Sequence, residues 1–147
     1  MLPKQVYIEL SHPSIPHIKR KIAQLCSSGD ITTQEILTNT DEYNLYHDLA
    51  ISPPKHEKPI GKGEAAAIAL AKTYNGILAS NNLKDISKYI QRYHLQHVTT
   101  GDILVAALKA GYIDENDGNQ IWSNMISRRR LLPTRSFSDY LKTFFAS

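Results

Sequence analysis

The sequence predicts an α/β fold, a three-layer α/β/α sandwich around a short parallel sheet. Three observations lead there. Short apolar or β-branched runs at residues 77–80 and 97–99 alternate with helical patterns at residues 83–93 and 102–110. A strand–helix–strand order implies parallel strands with helical crossovers. The length of 147 residues, with 41% apolar and 21% charged side chains, suits one hydrophobic core and is too short for two full domains. The same composition excludes a fully disordered chain and a collagen-like repeat.

The elements follow in order. Pro3 suits a first helical turn, and Val6, Ile8, Glu9 and Leu10 continue it. His12-Pro13-Ser14-Ile15-Pro16 interrupts. Ile15, Ile18, Ile22 and Leu25 then mark one apolar stripe of a helix over residues 15–28, stopped by Gly29 in a left-handed cap. Residues 30–36 are rich in β-branched side chains and predict a strand. Thr40-Asp41-Glu42 is a capping signal for a helix patterned by Tyr43, Leu45, Tyr46 and Leu49. Residues 52–63, with three prolines and two glycines, form the longest loop. The alanine-rich run 63–71 is a strong helix, ended by Asn75-Gly76, and its small side chains suit close packing against a sheet. After the strand–helix–strand segment, Gly111 closes the helix at residues 102–110, and two more helices are expected over 115–130 and 136–145. The expected organisation is an α/β domain over residues 1–113 with a helical extension over 114–147 packed on it.

Charge and cysteine usage narrow the setting. The net charge is +3, and residues 120–147 carry four arginines and one lysine against a single acid, Asp139. Arg128, Arg129 and Arg130 therefore form a candidate phosphate-facing patch, although arginine also complements a helix C-terminus. The single cysteine, Cys26, excludes an intramolecular disulfide framework and a cysteine-built zinc site. No apolar run approaches the ~20 residues that span a bilayer. Met1-Leu2-Pro3-Lys4-Gln5 holds no apolar signal core, so a cytoplasmic location is expected.

Familiar catalytic motifs are absent. Gly61-Lys62-Gly63 lacks P-loop spacing, and there is no G-x-S-x-G elbow and no H-E-x-x-H. What remains is an acidic set. Glu64 opens a helix, Asp85 follows a strand end, and Glu9 and Asp102 lie at or near helix ends. Each has a plain structural explanation, since acids favour helix N-termini and Thr99 with Asp102 makes a capping arrangement. Gathered at the C-terminal edge of a parallel sheet, the same hard oxygen ligands would hold Mg²⁺ or Mn²⁺ and cleave phosphodiesters.

At these residues the chain resembles the PIN-domain family. The run from Gly63-Glu64-Ala65 to Ala71, and then Ile77-Leu78-Ala79-Ser80-Asn81-Asn82-Leu83-Lys84-Asp85-Ile86, is similar to that family's acid-opened helix, apolar strand and T/S-x-N/D-x-x-D turn. Val6-Tyr7-Ile8-Glu9-Leu10 resembles its V-x-x-E-L helix, and residues 97–113 resemble a PIN-like branch near VapC-type toxins. The resemblance covers roughly residues 3 to 113. It implies a metal-dependent ribonuclease, a hydrolase that is often the toxin of a toxin–antitoxin pair. By the same resemblance Glu9, Glu64 and Asp85 are metal ligands for Mg²⁺ or Mn²⁺, with Asp102 a further catalytic acid. Ser80, Asn81, Asn82, Lys84, Arg128, Arg129 and Arg130 would contact RNA, and an antitoxin protein would be a partner.

One departure shapes the expectation. The family begins with a strand ending in aspartate and then helices, a unit of roughly 30 residues, before the segment that matches Val6 to Leu10. This sequence starts at that segment. Weak or absent ribonuclease activity is expected of the chain as it stands, and so is a homo-oligomer that covers the exposed sheet. The alternative is a non-catalytic PIN-like module that binds nucleic acid or protein. The neutral amides of Asn81 and Asn82 favour it, because they hold a divalent ion more weakly than carboxylates do.

Overall fold

The structure is a computed structural model that describes residues 1–146. It is mixed α/β and mostly helical, with eight helices and two two-stranded parallel sheets among the described residues. The elements are β1 (Leu2–Pro3), α1 (Lys4–Leu10), α2 (Pro16–Ser27), β2 (Thr33–Gln34), α3 (Asp41–Ala50), α4 (Lys62–Thr73), β3 (Ile77–Ala79), α5 (Leu83–Tyr93), β4 (Gln96–Val98), α6 (Thr100–Lys109), α7 (Glu115–Ser127) and α8 (Phe137–Ala146). The chain divides into two units. One comprises Met1–Leu78 and Lys84–Gln96, the other Ala79–Leu83 and His97–Ser147.

The first unit is built on α4. Ala65, Ala66, Ile68 and Ala69 are fully buried, so this helix is apolar around most of its circumference, as an interior helix must be. One side packs Ala65, Ile68 and Ala71 with Leu49, Leu78, Ile86 and Tyr89. The other packs Ala66, Ala69 and Leu70 with Ile36 and the rings of Tyr43 and Tyr46. The alanines thus admit helices rather than a broad sheet: α3 is the main neighbour of α4, followed by α1 and then β1. The expected strand over 30–36 is reduced to Thr33–Gln34, which pairs in parallel with β1 in the register Leu2↔Thr33 and Pro3↔Gln34. Pro3 cannot donate to a ladder, so it fits only such a short edge pairing. The Thr40 hydroxyl caps α3 by accepting from the Tyr43 amide at 3.2 Å, and Gly29 takes the left-handed conformation expected after α2.

Strands β3 and β4 form the second sheet, with the boundary between units falling inside both. The parallel neighbours expected from the strand–helix–strand order are therefore present. The ladder continues past β3, where the Ser80 amide donates to the Val98 carbonyl at 3.1 Å.

The second unit has its own core, made by Leu104, Val105, Trp122, Phe137 and Leu141. Trp122 is fully buried, and its indole N–H donates to the Thr134 carbonyl at 3.0 Å. That bond removes the penalty of an unpaired buried donor. Two glycines permit the packing. A Cβ at Gly118 would overlap the Phe137 ring, and a Cβ at Gly101 would overlap the Tyr140 ring. Helix α7 starts with a capping box, in which Asp114 and Asp117 each accept the other's amide. It ends at Ser127 rather than at 130, because Arg129 adopts φ 60° and turns the chain.

Candidate functional site

In the first unit two predicted acids lie at the start of α4, each against a different glycine. Glu9 is an exposed residue of α1, and its carboxylate oxygens stand 3.1 and 3.2 Å from the place a Gly63 Cβ would occupy. Val6, one helical turn earlier, fills the same space at 3.3 Å. Glu64 is half-buried and folds its carboxylate back against Gly61, the residue that precedes the helix. Residues 55 positions apart in sequence therefore place two carboxylates at one helix N-terminus, where the helix dipole favours negative charge. The small glycine side of α4 is what lets α1 approach this closely.

Asp85 is exposed in the first turn of α5, one residue before the buried Ile86. Among the described residues no group of three or more His, Cys, Asp and Glu side chains is placed to hold a metal ion. The pair of Glu9 and Glu64 does match the donor chemistry of Mg²⁺, which is commonly held by one or two carboxylates and completes its shell with water and substrate phosphate. Lys84, beside Asp85, is exposed.

In the second unit the predicted strand-end residues form a tight polar junction. The Asn81 side chain grips Thr100 twice. Its Nδ2 donates to the Thr100 hydroxyl at 2.8 Å, and its Oδ1 accepts from the Thr100 amide at 2.9 Å. The Ser80 hydroxyl accepts the Asn82 amide at 3.1 Å, and the Ser80 carbonyl lies 2.8 Å from His97 Nε2. A bidentate amide of this kind joins a strand end to a helix start.

Asp102 is the most engaged acid of the second unit. Its Oδ2 accepts from the Thr99 amide at 2.8 Å and from the Thr99 hydroxyl at 2.7 Å, and its Oδ1 accepts from the Tyr140 hydroxyl at 2.9 Å. Burial pushes the Asp102 carboxyl up, but the bonds from Thr99 and Tyr140 and the nearby His97 outweigh it and leave the pKa below the ordinary value. The capping arrangement read from Thr99 and Asp102 is thus the one formed, and Tyr140 extends it.

Beside this junction lies an open cleft of about 410 Å³, lined mainly by apolar groups and including Asn81, Thr99, Leu131, Leu132, Pro133 and Tyr140. Arg128, Arg129 and Arg130 are exposed and lead directly into its Leu131–Pro133 edge. The arginine run was legible in the sequence. The cleft was not, because Tyr140 and Pro133 carry no motif of their own.

Sequence reasoning also missed Glu57, in the long loop before α4. Its carboxylate accepts from Arg92 at 2.7 Å, from Lys88 at 2.9 Å and from the Tyr89 hydroxyl at 3.3 Å. Hydrogen bonds from Arg92 and Lys88 bring its pKa down to about 2. The spacing of Lys88 and Arg92, one turn apart on α5, was the available signal.

Comparison of the chain with protein-family models, with curated proteins and with solved structures finds no match.

Proposed function

We propose that this chain is a PIN-like domain acting on RNA, an Mg²⁺- or Mn²⁺-dependent endoribonuclease of weak activity. The observation that carries the reading is that Glu9, from α1, and Glu64 both stand at the first turn of α4, because these are two of the three acids that the resemblance marks as ligands. On this reading Glu9 and Glu64 hold the cation, Asp85 is the third acid, and the cation supplies an activated water and charge stabilisation when bound. Arg128, Arg129, Arg130 and Lys84 contact phosphate, and Ser80, Asn81 and Asn82 contact the nucleotide. The finer architecture, a three-layer sandwich, belongs to the same proposal, as do a homo-oligomer and an antitoxin partner.

A second reading is a non-catalytic PIN-like module that binds nucleic acid or protein. It is favoured by Asp102, whose two carboxylate oxygens both serve hydrogen bonds that fix α6 and α8.

Incubation of single-stranded RNA with the protein in Mg²⁺, in Mn²⁺ and in EDTA separates the readings. Cleavage that requires the cation and is lost in both Glu9→Gln and Glu64→Gln supports the nuclease. RNA binding without cleavage in either cation supports the binding module.

A further inference from the structure

The second unit holds a cleft whose Asn81 and neighbouring arginines the reading above places on RNA, without saying what the cleft itself takes. Its volume of about 410 Å³ falls within the ~300–1,000 Å³ usual for small-ligand sites. Its lining combines apolar side chains, the Tyr140 ring and the polar groups of Asn81 and Thr99. That mixture suits a flat ring with polar edges. Leu131, at the cleft, is 91% exposed, an apolar side chain left open to water. Charge brackets the same segment: Arg128, Arg129 and Arg130 precede Leu131, and Arg135 follows Pro133 by two residues. Asp139, the single acid of residues 120–147, is paired with Lys142 at 3.1 Å. A flat ring beside an anion is the chemistry of a nucleotide.

We propose that this cleft seats one unstacked base of single-stranded RNA, with Arg129 and Arg130 on the flanking phosphates. The proposal rests on the reading of the chain as an RNA-directed domain and adds where one base is held. A base with two π faces is recognised by apolar and aromatic contact without strict sequence preference, and the arginines supply the salt-dependent part of the affinity. The Asn81 amide is fixed by its two bonds to Thr100, so its position at the cleft is preorganised.

The test uses the full chain in EDTA and a short single-stranded oligoribonucleotide carrying one 2-aminopurine. The expected result is a saturable change in 2-aminopurine fluorescence. Leu131→Asp, at an exposed position, weakens binding about tenfold or more, and Leu131→Tyr keeps or tightens it by offering a stacking face. The double variant Arg129→Ala/Arg130→Ala lowers the slope of log affinity against log salt by about 1.4, as two fewer single-strand phosphate contacts require. Unchanged far-ultraviolet circular dichroism confirms that each variant is folded. Binding that is indifferent to Leu131→Asp, or no fluorescence change on binding, overturns the proposal. The two readings fail separately: RNA cleaved in Mg²⁺ with no dependence on Leu131 defeats the cleft alone, while Leu131-dependent binding with no cleavage in either cation defeats the nuclease alone.

Discussion

The Tyr140 hydroxyl donates to Asp102 Oδ1 at 2.9 Å, while Asp102 Oδ2 holds the backbone and side chain of Thr99. One carboxylate therefore caps α6 and anchors α8 at once. The Tyr140 ring reaches it by packing on Gly101, where any Cβ would overlap the ring. Tyr140 also lies 5.3 Å from Trp122, centroid to centroid, so the polar junction continues into the aromatic core of the second unit.

Asp102→Ala should destabilise the protein by about 1–3 kcal/mol, through loss of the cap and of the partner to the Tyr140 hydroxyl. Tyr140→Phe should cost about 1–2 kcal/mol, since it removes one hydrogen bond to a charged acceptor. Because the Asp102 pKa is lowered on folding, its contribution is present above the unfolded carboxylate pKa and fades as pH falls through the folded value. Urea denaturation of both variants at pH 7 and in acid checks the sizes and the sign. Equal stability of Asp102→Ala and the parent at pH 7 would show that the triple bonding is energetically idle.

Gly118→Ala should destabilise by about 1–3 kcal/mol, because the new methyl overlaps the Phe137 ring and forces the core of the second unit apart. Trp122→Ala should cost more, about 3–5 kcal/mol, since it empties a fully buried site. Thermal melts of the two variants should rank in that order. The alanine substitution at position 118 tests the close approach specifically, since elsewhere in a helix glycine to alanine is stabilising.

Glu57 predicts a pH response confined to one loop. Its pKa falls from 4.5 to about 2 on folding, so its attraction to Lys88 and Arg92 is complete above pH 4.5 and is lost as pH drops through 2. Amide protection factors in residues 52–61, which are corrected for the intrinsic slowing of exchange in acid, should fall across that window in the parent protein. In Glu57→Gln the protection factors of the loop should already be lower at neutral pH and should change little in acid. Exchange rates equal to the parent's at neutral pH would mean that the prolines alone hold the loop.

The acidic pair predicts a cation response. Mn²⁺ should raise the melting temperature of the parent protein, and Glu9→Gln and Glu64→Gln should each reduce that rise. Gly63→Ala should also reduce it, because a methyl at that position meets the Glu9 carboxylate at 3.1 Å and displaces it. A rise that survives all three substitutions would place the cation elsewhere.

What the sequence by itself determined was local. Thr40 before Asp41-Glu42, Thr99 with Asp102, and Gly29 and Gly111 after apolar stripes all mark helix ends, and the structure places caps and left-handed turns there. The span of α5 and the pairing of β3 with β4 were equally legible, because capping, periodicity and strand–helix order depend on residues close in sequence. Tertiary structure decided what depends on distant partners. The β-branched run at 30–36 kept only Thr33 and Gln34 as strand, since a strand exists only as far as its neighbour β1 can pair with it. The alanines of α4 found mainly helices, with β1 and Leu78 of β3 beside them, and small side chains do not specify which neighbour comes close. Glu9 reached Gly63, Glu57 reached Arg92, and Tyr140 reached Asp102 across 54, 35 and 38 residues. No periodicity encodes such contacts; they arise when packing brings distant polar groups together, where each must find a partner or remain in water.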